Sequence, residues 1–121
     1  MLEHALAQEI AQVLYDKKGR NIIALDVKNL TVICDYMIIA SGRSANQVKA
    51  MADDVDDRMA QQGVALRRIE GQSDGRWIVM DYGHILVQLF HQEEREYYNL
   101  ERLWEDGTNR LVLPFDQTVL D

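Results

Sequence analysis

The chain has almost nothing with which to cross-link or break itself. Among 121 residues there is one cysteine, Cys34, and one proline. A single cysteine excludes an internal disulfide and supplies no metal-ligand pair. No stretch approaches the roughly 18 consecutive apolar residues that a membrane helix needs. The N-terminal segment MLEHALAQEIAQVL is amphipathic and acidic, so it lacks the basic region and apolar run of a signal peptide. A cytoplasmic chain with no membrane partner is the expectation. There are no repeats, low-complexity runs or internal linkers, and the length suits one domain with one core. A hydrophobic content of 47% and a charged content of 27% are ordinary for a globular protein.

Positive charge is also scarce. Twenty acidic against thirteen basic side chains leave a net charge of −7. A protein whose main partner is bare nucleic acid usually presents a basic surface to displace counterions from phosphates. An acidic domain is better matched to a basic protein, where opposite potentials speed encounter and fix register.

What is present is a regular alternation of elements. Residues 2–18 carry the one-sided apolar stripe Leu2, Leu6, Ile10, Val13 and Leu14 of an amphipathic helix, and Gly19 after two lysines reads as its left-handed stop. NIIALDV reads as a short strand, and CDYMIIAS as a strand covered on both faces. The following helix has Val48, Met51, Ala52, Val55 and Met59 on one side. Ser44 and Gln47 match a capping box at its start, and Gly63 closes it. VALRRIEG reads as a strand. RWIVMDYGHILVQLF reads as two strands joined at Gly83, which can supply a hairpin's positive φ. QEEREYYNLERLWEDG reads as one last helix with Tyr97, Leu100 and Trp104 buried. The order helix-strand-strand-helix-strand-strand-strand-helix implies an α/β fold, a mixed β-sheet with flanking helices. The expected domain spans residues 1–106, and residues 107–121 form a C-terminal tail.

The stretch DYMIIASGRSANQVKAMADDVDD asks whether chemistry is present. Ser41 and Gly42 before a helix could face a phosphate, and Asp53, Asp54, Asp56 and Asp57 could hold magnesium. Only Asp53 and Asp57 are four apart on a helix face, and they lie several turns beyond the turn. GRSANQVK also lacks a Walker-type lysine. Helix capping explains the same residues without chemistry. His4, His84 and His91 have no zinc spacing. Cys34 reads as an inert buried thiol, and Ser41, Ser44 and Ser73 lack a nucleophile elbow. The expectation is no catalytic residues, no metal and no cofactor.

Two stretches stand out instead. RWIVMDYG brackets a strand with aromatics, and EREYYNLERLW gathers tyrosines, arginines and a tryptophan, the side chains that most often dominate interfaces. Tyr82, in a turn, need not be buried and is a candidate partner contact. Together with NIIALDV and CDYMIIASG, these motifs resemble the ribosomal silencing factor (RsfS, or Iojap) family in order and spacing. The resemblance implies a nucleotidyltransferase-like fold without that catalytic apparatus. It further implies binding to the large ribosomal subunit through its basic, universal fourteenth protein, blocking subunit joining when nutrients are short. Carried over by residue, it implies a contact surface through Trp77, Asp81, Tyr82 and Gly83, extended by Glu70, Arg95, Tyr97 and Tyr98. Where the family commonly has a histidine, this chain has Gln88, which cannot carry a proton. Arg67, Arg68 and Arg76 are candidates for local contact with ribosomal RNA. Two rivals stay open: a magnesium-dependent nucleotidyltransferase using Ser41, Gly42, Asp53 and Asp57, and a homodimeric adaptor pairing through an edge strand left by the hairpin.

Overall fold

The computed structural model describes residues 2–117, so residues 118–121 of the tail lie outside the description. The elements run α1 (Leu2–Asp16), β1 (Arg20–Asp26), β2 (Tyr36–Gly42), α2 (Ala45–Gln61), β3 (Arg68–Glu70), β4 (Trp77–Asp81), β5 (Ile85–His91), α3 (Gln92–Tyr98) and α4 (Glu101–Trp104). The sheet order is β1-β2-β5-β4-β3. The β2–β5 pair is parallel and the others are antiparallel, so the sheet is mixed, as the element order implied.

The two faces of the sheet are covered differently. On one face Ile22, Ala24, Ile38, Ala40, Val87 and Leu89 join Ile78 and Met80 under the apolar stripes of α1 and α2. The five expected α2 residues, Val48 to Met59, are all buried there. On the other face Ile23, Leu25, Met37, Ile39 and Phe90 form a smaller cluster, against which Leu100 and Trp104 pack. Every residue of β2 is buried, which its near-continuous apolar run required. On β4, by contrast, Ile78 and Met80 are buried while Trp77, Val79 and Asp81 on the second face are only half-buried.

Local chemistry sets the element boundaries. The Ser44 hydroxyl accepts from the Gln47 N–H at 3.1 Å. The Gln47 carbonyl oxygen accepts from the N–H of Arg43 at 2.7 Å, so the glutamine reaches back one residue beyond the cap. Gly63 (φ +76) ends α2: its N–H donates to Ala60 O, and Val64 N–H donates to Met59 O, the two bonds of a Schellman cap. Gly83 (φ +94) takes the turn between β4 and β5, closed by Tyr82 N–H to Ile85 O at 2.9 Å.

Four expectations are corrected. Lys18 (φ 65), not Gly19, is the left-handed residue after α1. Position 19 is tight instead, because a Cβ there would lie 2.9 Å from Leu14 O. The strand read over residues 64–71 shrinks to Arg68–Glu70, since Val64 N–H is taken by the helix cap and Val64 and Leu66 turn toward the core. The final helix is two: Asn99 adopts a left-handed conformation (φ 51, ψ 49) and separates α3 from α4. The helical phase is therefore lost at that point, and Tyr97 is 82% exposed rather than buried. Finally, the hairpin is not itself the sheet's edge: β3 flanks β4, and the edge that remains there is the three-residue β3.

The tail covers the opposite edge. Asp26 N–H donates to Asn109 O and Leu111 N–H to Ala24 O. The Gln117 amide bonds both Ile22 N–H, at 2.8 Å, and Ile22 O, at 2.9 Å. Leu111, Leu113 and Phe115 pack on the main core, and Phe115 stacks on Tyr15 with ring centroids 4.3 Å apart.

Candidate partner-binding face

Register places Glu70, Val79, Gln88 and Ile39 in one row across the sheet, with Trp77, Phe90 and Ser41 in a row beside it. All of these side chains point to the second face, because alternate residues of a strand share a side. Near β1 and β2 that face is closed; along β4 and β3 it is open.

Trp77 anchors the open part. Its ring stacks on Phe90 at 5.0 Å and meets Tyr98 at 5.0 Å, and Tyr98 meets Tyr97 edge-on at 5.0 Å. The four rings form a continuous aromatic run that leads out through Tyr98, 47% exposed, to Tyr97 in solvent. Gln88 holds the tryptophan. The indole N–H donates to the Gln88 carbonyl oxygen at 3.1 Å, and the Gln88 amide nitrogen donates to the Met37 sulfur at 3.4 Å. A half-buried indole N–H needs such an acceptor, and glutamine serves here without a titratable proton.

Two carboxylates lie farther along the same sheet face, Glu70 on β3 and Asp81 at the far end of β4 from Trp77. Glu70 is exposed at the sheet edge, 3.4 Å from Arg68. Asp81, half-buried, accepts from the Gly83 N–H at 2.8 Å, which fixes its carboxylate beside the turn. Gly83 itself lies under Arg67, whose guanidinium a Cβ would approach to 3.1 Å. Arg76 is tied to Glu94 at 2.8 Å and Glu93 at 3.2 Å. These acids hold the Arg76 guanidinium firmly protonated, and Arg76 keeps Glu94 below the usual carboxylate range. Both Arg68 and Arg76 thus carry acidic partners already.

Two expected contact residues are buried and serve other ends. Tyr82 is 7% exposed and belongs to the α1/α2 face. Its hydroxyl donates to Asp56 of α2 at 2.9 Å, and burial followed by that carboxylate pushes its ionisation well above the normal range. Arg95 is 6% exposed. It lies 3.1 Å from Glu101 across the Asn99 break and reaches the Ser41 hydroxyl at 3.5 Å. Arg95 is therefore a strut between α3, α4 and β2, and Glu70, Trp77, Asp81, Tyr97 and Tyr98 are the residues gathered on the open face. Leu103 on α4, 70% exposed, was not singled out by the sequence pattern. Only the break at Asn99, which disrupts the helical spacing, signals its exposure.

The aspartates of α2 do not converge. Asp54 pairs with Lys17 at 3.3 Å, Asp56 takes the Tyr82 hydroxyl, and Asp53 and Asp57 are exposed. Among the described residues no group of three or more His, Cys, Asp or Glu side chains is placed to hold a metal ion. Cys34 is buried, and burial followed by the charges of Asp35 and Asp81 pushes its thiol up to about 11. Among the described residues no helix is long and apolar enough to cross a membrane.

The sequence model of the family described as "Ribosomal silencing factor during starvation" matches residues 2–119. The chain belongs to the ribosomal silencing factor family. It is 38% identical over 107 residues to the ribosomal silencing factor RsfS of Halalkalibacterium halodurans, covering 88% of this chain and 92% of that one. Against RsfS of Bacillus subtilis it is 36% identical over 107 residues, covering 88% and 91%. A crystal structure of a Chromobacterium violaceum protein superposes with a TM-score of 0.77 at 34% identity, covering 93% of this chain and 96% of that one. The family match takes in the α3–α4 break and the described tail, so both belong to the part of the chain that the family shares.

Proposed function

We propose that this ribosomal silencing factor represses translation without chemistry of its own, by binding the large ribosomal subunit through the basic, universal fourteenth protein and sterically blocking subunit joining when nutrients are short. The observation that carries the reading is the Trp77–Tyr98–Tyr97 run, an exposed aromatic surface on a chain of net charge −7, with Glu70 and Asp81 farther along the same sheet face. Aromatic anchors on an acidic chain suit a protein partner of opposite charge. The reading places the chain in the cytoplasm with the ribosomes. Two copies could also meet through Tyr97 and Leu103, in which case the dimer must open before the partner binds.

The test is co-sedimentation with separated large and small subunits at two salt concentrations, using the native chain and a Tyr97→Ala, Glu70→Lys variant. We expect the native chain to pellet with the large subunit alone and to prevent small subunits from joining. The variant, altered at two surface groups that leave the core intact, should remain in the supernatant with unchanged far-UV circular dichroism. A native chain that stays in the supernatant with both subunits refutes the ribosomal reading. A variant that still pellets refutes the surface.

A further inference from the structure

At the end of the sheet where β1 begins and β2 ends, a cleft of about 870 Å³ opens between the end of α1 and the start of α2. It is lined by Lys17, Lys18, Arg20 and Arg43, with Tyr15, Asp16 and Gln47 completing the wall. Four of the thirteen basic side chains of an acidic chain are thus collected around one cavity. The volume falls within the range of roughly 300–1,000 Å³ typical of small-molecule sites.

The backbone acceptors nearby are occupied, and Asp16 keeps its negative charge on the wall beside the four cations. The carbonyls at the end of α1 would repel an anion, yet Val13 O, Leu14 O and Tyr15 O accept from the N–H groups of Lys17, Gly19 and Lys18. Lys17 O and Lys18 O both accept from the Gln47 amide, at 3.1 and 3.0 Å. Asp16 accepts from the Gln12 amide at 2.9 Å. Lys17 is shared with Asp54, whereas Lys18 and Arg20 form no ion pair among the described residues. The backbone beneath them is fixed, since the Ser41 hydroxyl donates to Arg20 O at 3.1 Å. The cleft also adjoins the carboxyl end of β2, which runs parallel to β5, and in open α/β sheets that end is where ligands enter.

We propose that this cleft binds phosphate groups through Lys17, Lys18 and Arg20, with Arg43 at its rim. Lysine and arginine are the side chains that take phosphate by charge-assisted hydrogen bonds. The phosphates are those of a free nucleotide or of a single RNA strand, and the two sources are separable. The inference is independent of the partner-binding face: a chain that failed to bind ribosomes would still be expected to fill this cleft.

The experiment titrates the full chain with inorganic tripolyphosphate, and separately with a short RNA oligonucleotide, at two ionic strengths, following backbone amides by NMR. Both ligands should saturate shifts at residues 17–20 and 43–47. Lys18→Asn with Arg20→Gln should weaken both by about tenfold or more, as expected for losing two charge-assisted contacts. Asparagine is chosen because position 18 is left-handed, which asparagine tolerates. Arg68→Gln, at the distant sheet edge, should change nothing. RNA binding tighter than tripolyphosphate, with a log–log salt slope near −0.7 per contacted phosphate, assigns the polymer. Equal or weaker RNA binding assigns the free nucleotide. Silence toward both ligands at millimolar concentration overturns the proposal, as does binding that the double substitution leaves intact.

Discussion

Arg95 provides the sharpest test of how the exposed tyrosines are held. The residue is 6% exposed, and its guanidinium bridges α3 to Glu101 of α4 at 3.1 Å. Burial acts to lower the arginine's affinity for its proton and Glu101 acts to restore it, with burial the larger influence. Arg95→Met keeps the length of the stem and removes the charge, leaving the Glu101 carboxylate facing an apolar side chain. Removing one partner of a fully buried ion pair costs about 3–5 kcal/mol. The Glu101 side chain keeps 22% exposure, so water relieves part of that cost and about 2–3 kcal/mol is the expectation. Glu101→Gln added to Arg95→Met should recover part of the loss, because no lone buried charge then remains. Urea denaturation of the four members of the double-mutant cycle measures this, with an expected coupling of about 1–2 kcal/mol. Large-subunit binding by Arg95→Met should weaken even where the chain is fully folded, since Tyr97 and Tyr98 sit on the helix that Arg95 anchors. A loss below about 1 kcal/mol, or strictly additive effects in the cycle, would refute the strut.

Other outcomes follow from the same structure. Gln88→Leu removes the acceptor of the Trp77 indole and should destabilise the chain by about 1–3 kcal/mol; Gln88→His, which offers a ring nitrogen, should lose less, and tryptophan fluorescence with urea melts compares them. The Cys34 thiol titrates higher in the folded chain than the ordinary value of 9.0, so the folded state holds that proton more tightly. Its stabilising contribution is complete below pH 9.0 and is lost as pH rises toward about 11. Cys34→Ala should accordingly show a shallower loss of stability than the native chain across that window, measured by urea melts at each pH. In the native chain, alkylation by iodoacetamide at neutral pH should be slow compared with a free thiol.

Where a segment's structure is decided by its own residues, the sequence made it legible. The serine cap, apolar stripe and closing glycine of α2, the doubly covered β2 and the glycine turn of the hairpin are all of this kind. Tyr82 was not, because its burial depends on Asp56, 26 residues away on another element, and nothing in DYGH announces that partner. The break at Asn99 was hidden differently. ERLW continues a good helical pattern, and a single asparagine in the left-handed conformation outweighs it once Arg95 and Glu101 close over the turn. Of the candidate face, the motif residues were visible one by one. Their assembly into an aromatic run required the register of β4 against β5, which fixes Trp77 opposite Phe90. The basic cleft was only partly visible: Lys17, Lys18 and Arg20 stand together in KKGR, but Arg43 joins them only once the start of α2 packs beside the end of α1.

The strap over β1 has a consequence for the order of folding. Asn109, Leu111 and Gln117 satisfy the outer edge of a strand made nearly a hundred residues earlier, with the Gln117–Ile22 contact spanning 95 positions. During synthesis α1, β1 and β2 emerge first, and the remaining strands can join the sheet before that edge is covered. Until residues 109–117 leave the ribosome, β1 presents unpaired N–H and C=O groups, the kind of edge through which incomplete chains associate. Completion of this fold therefore waits on release of its own late segment from the machine that its family silences.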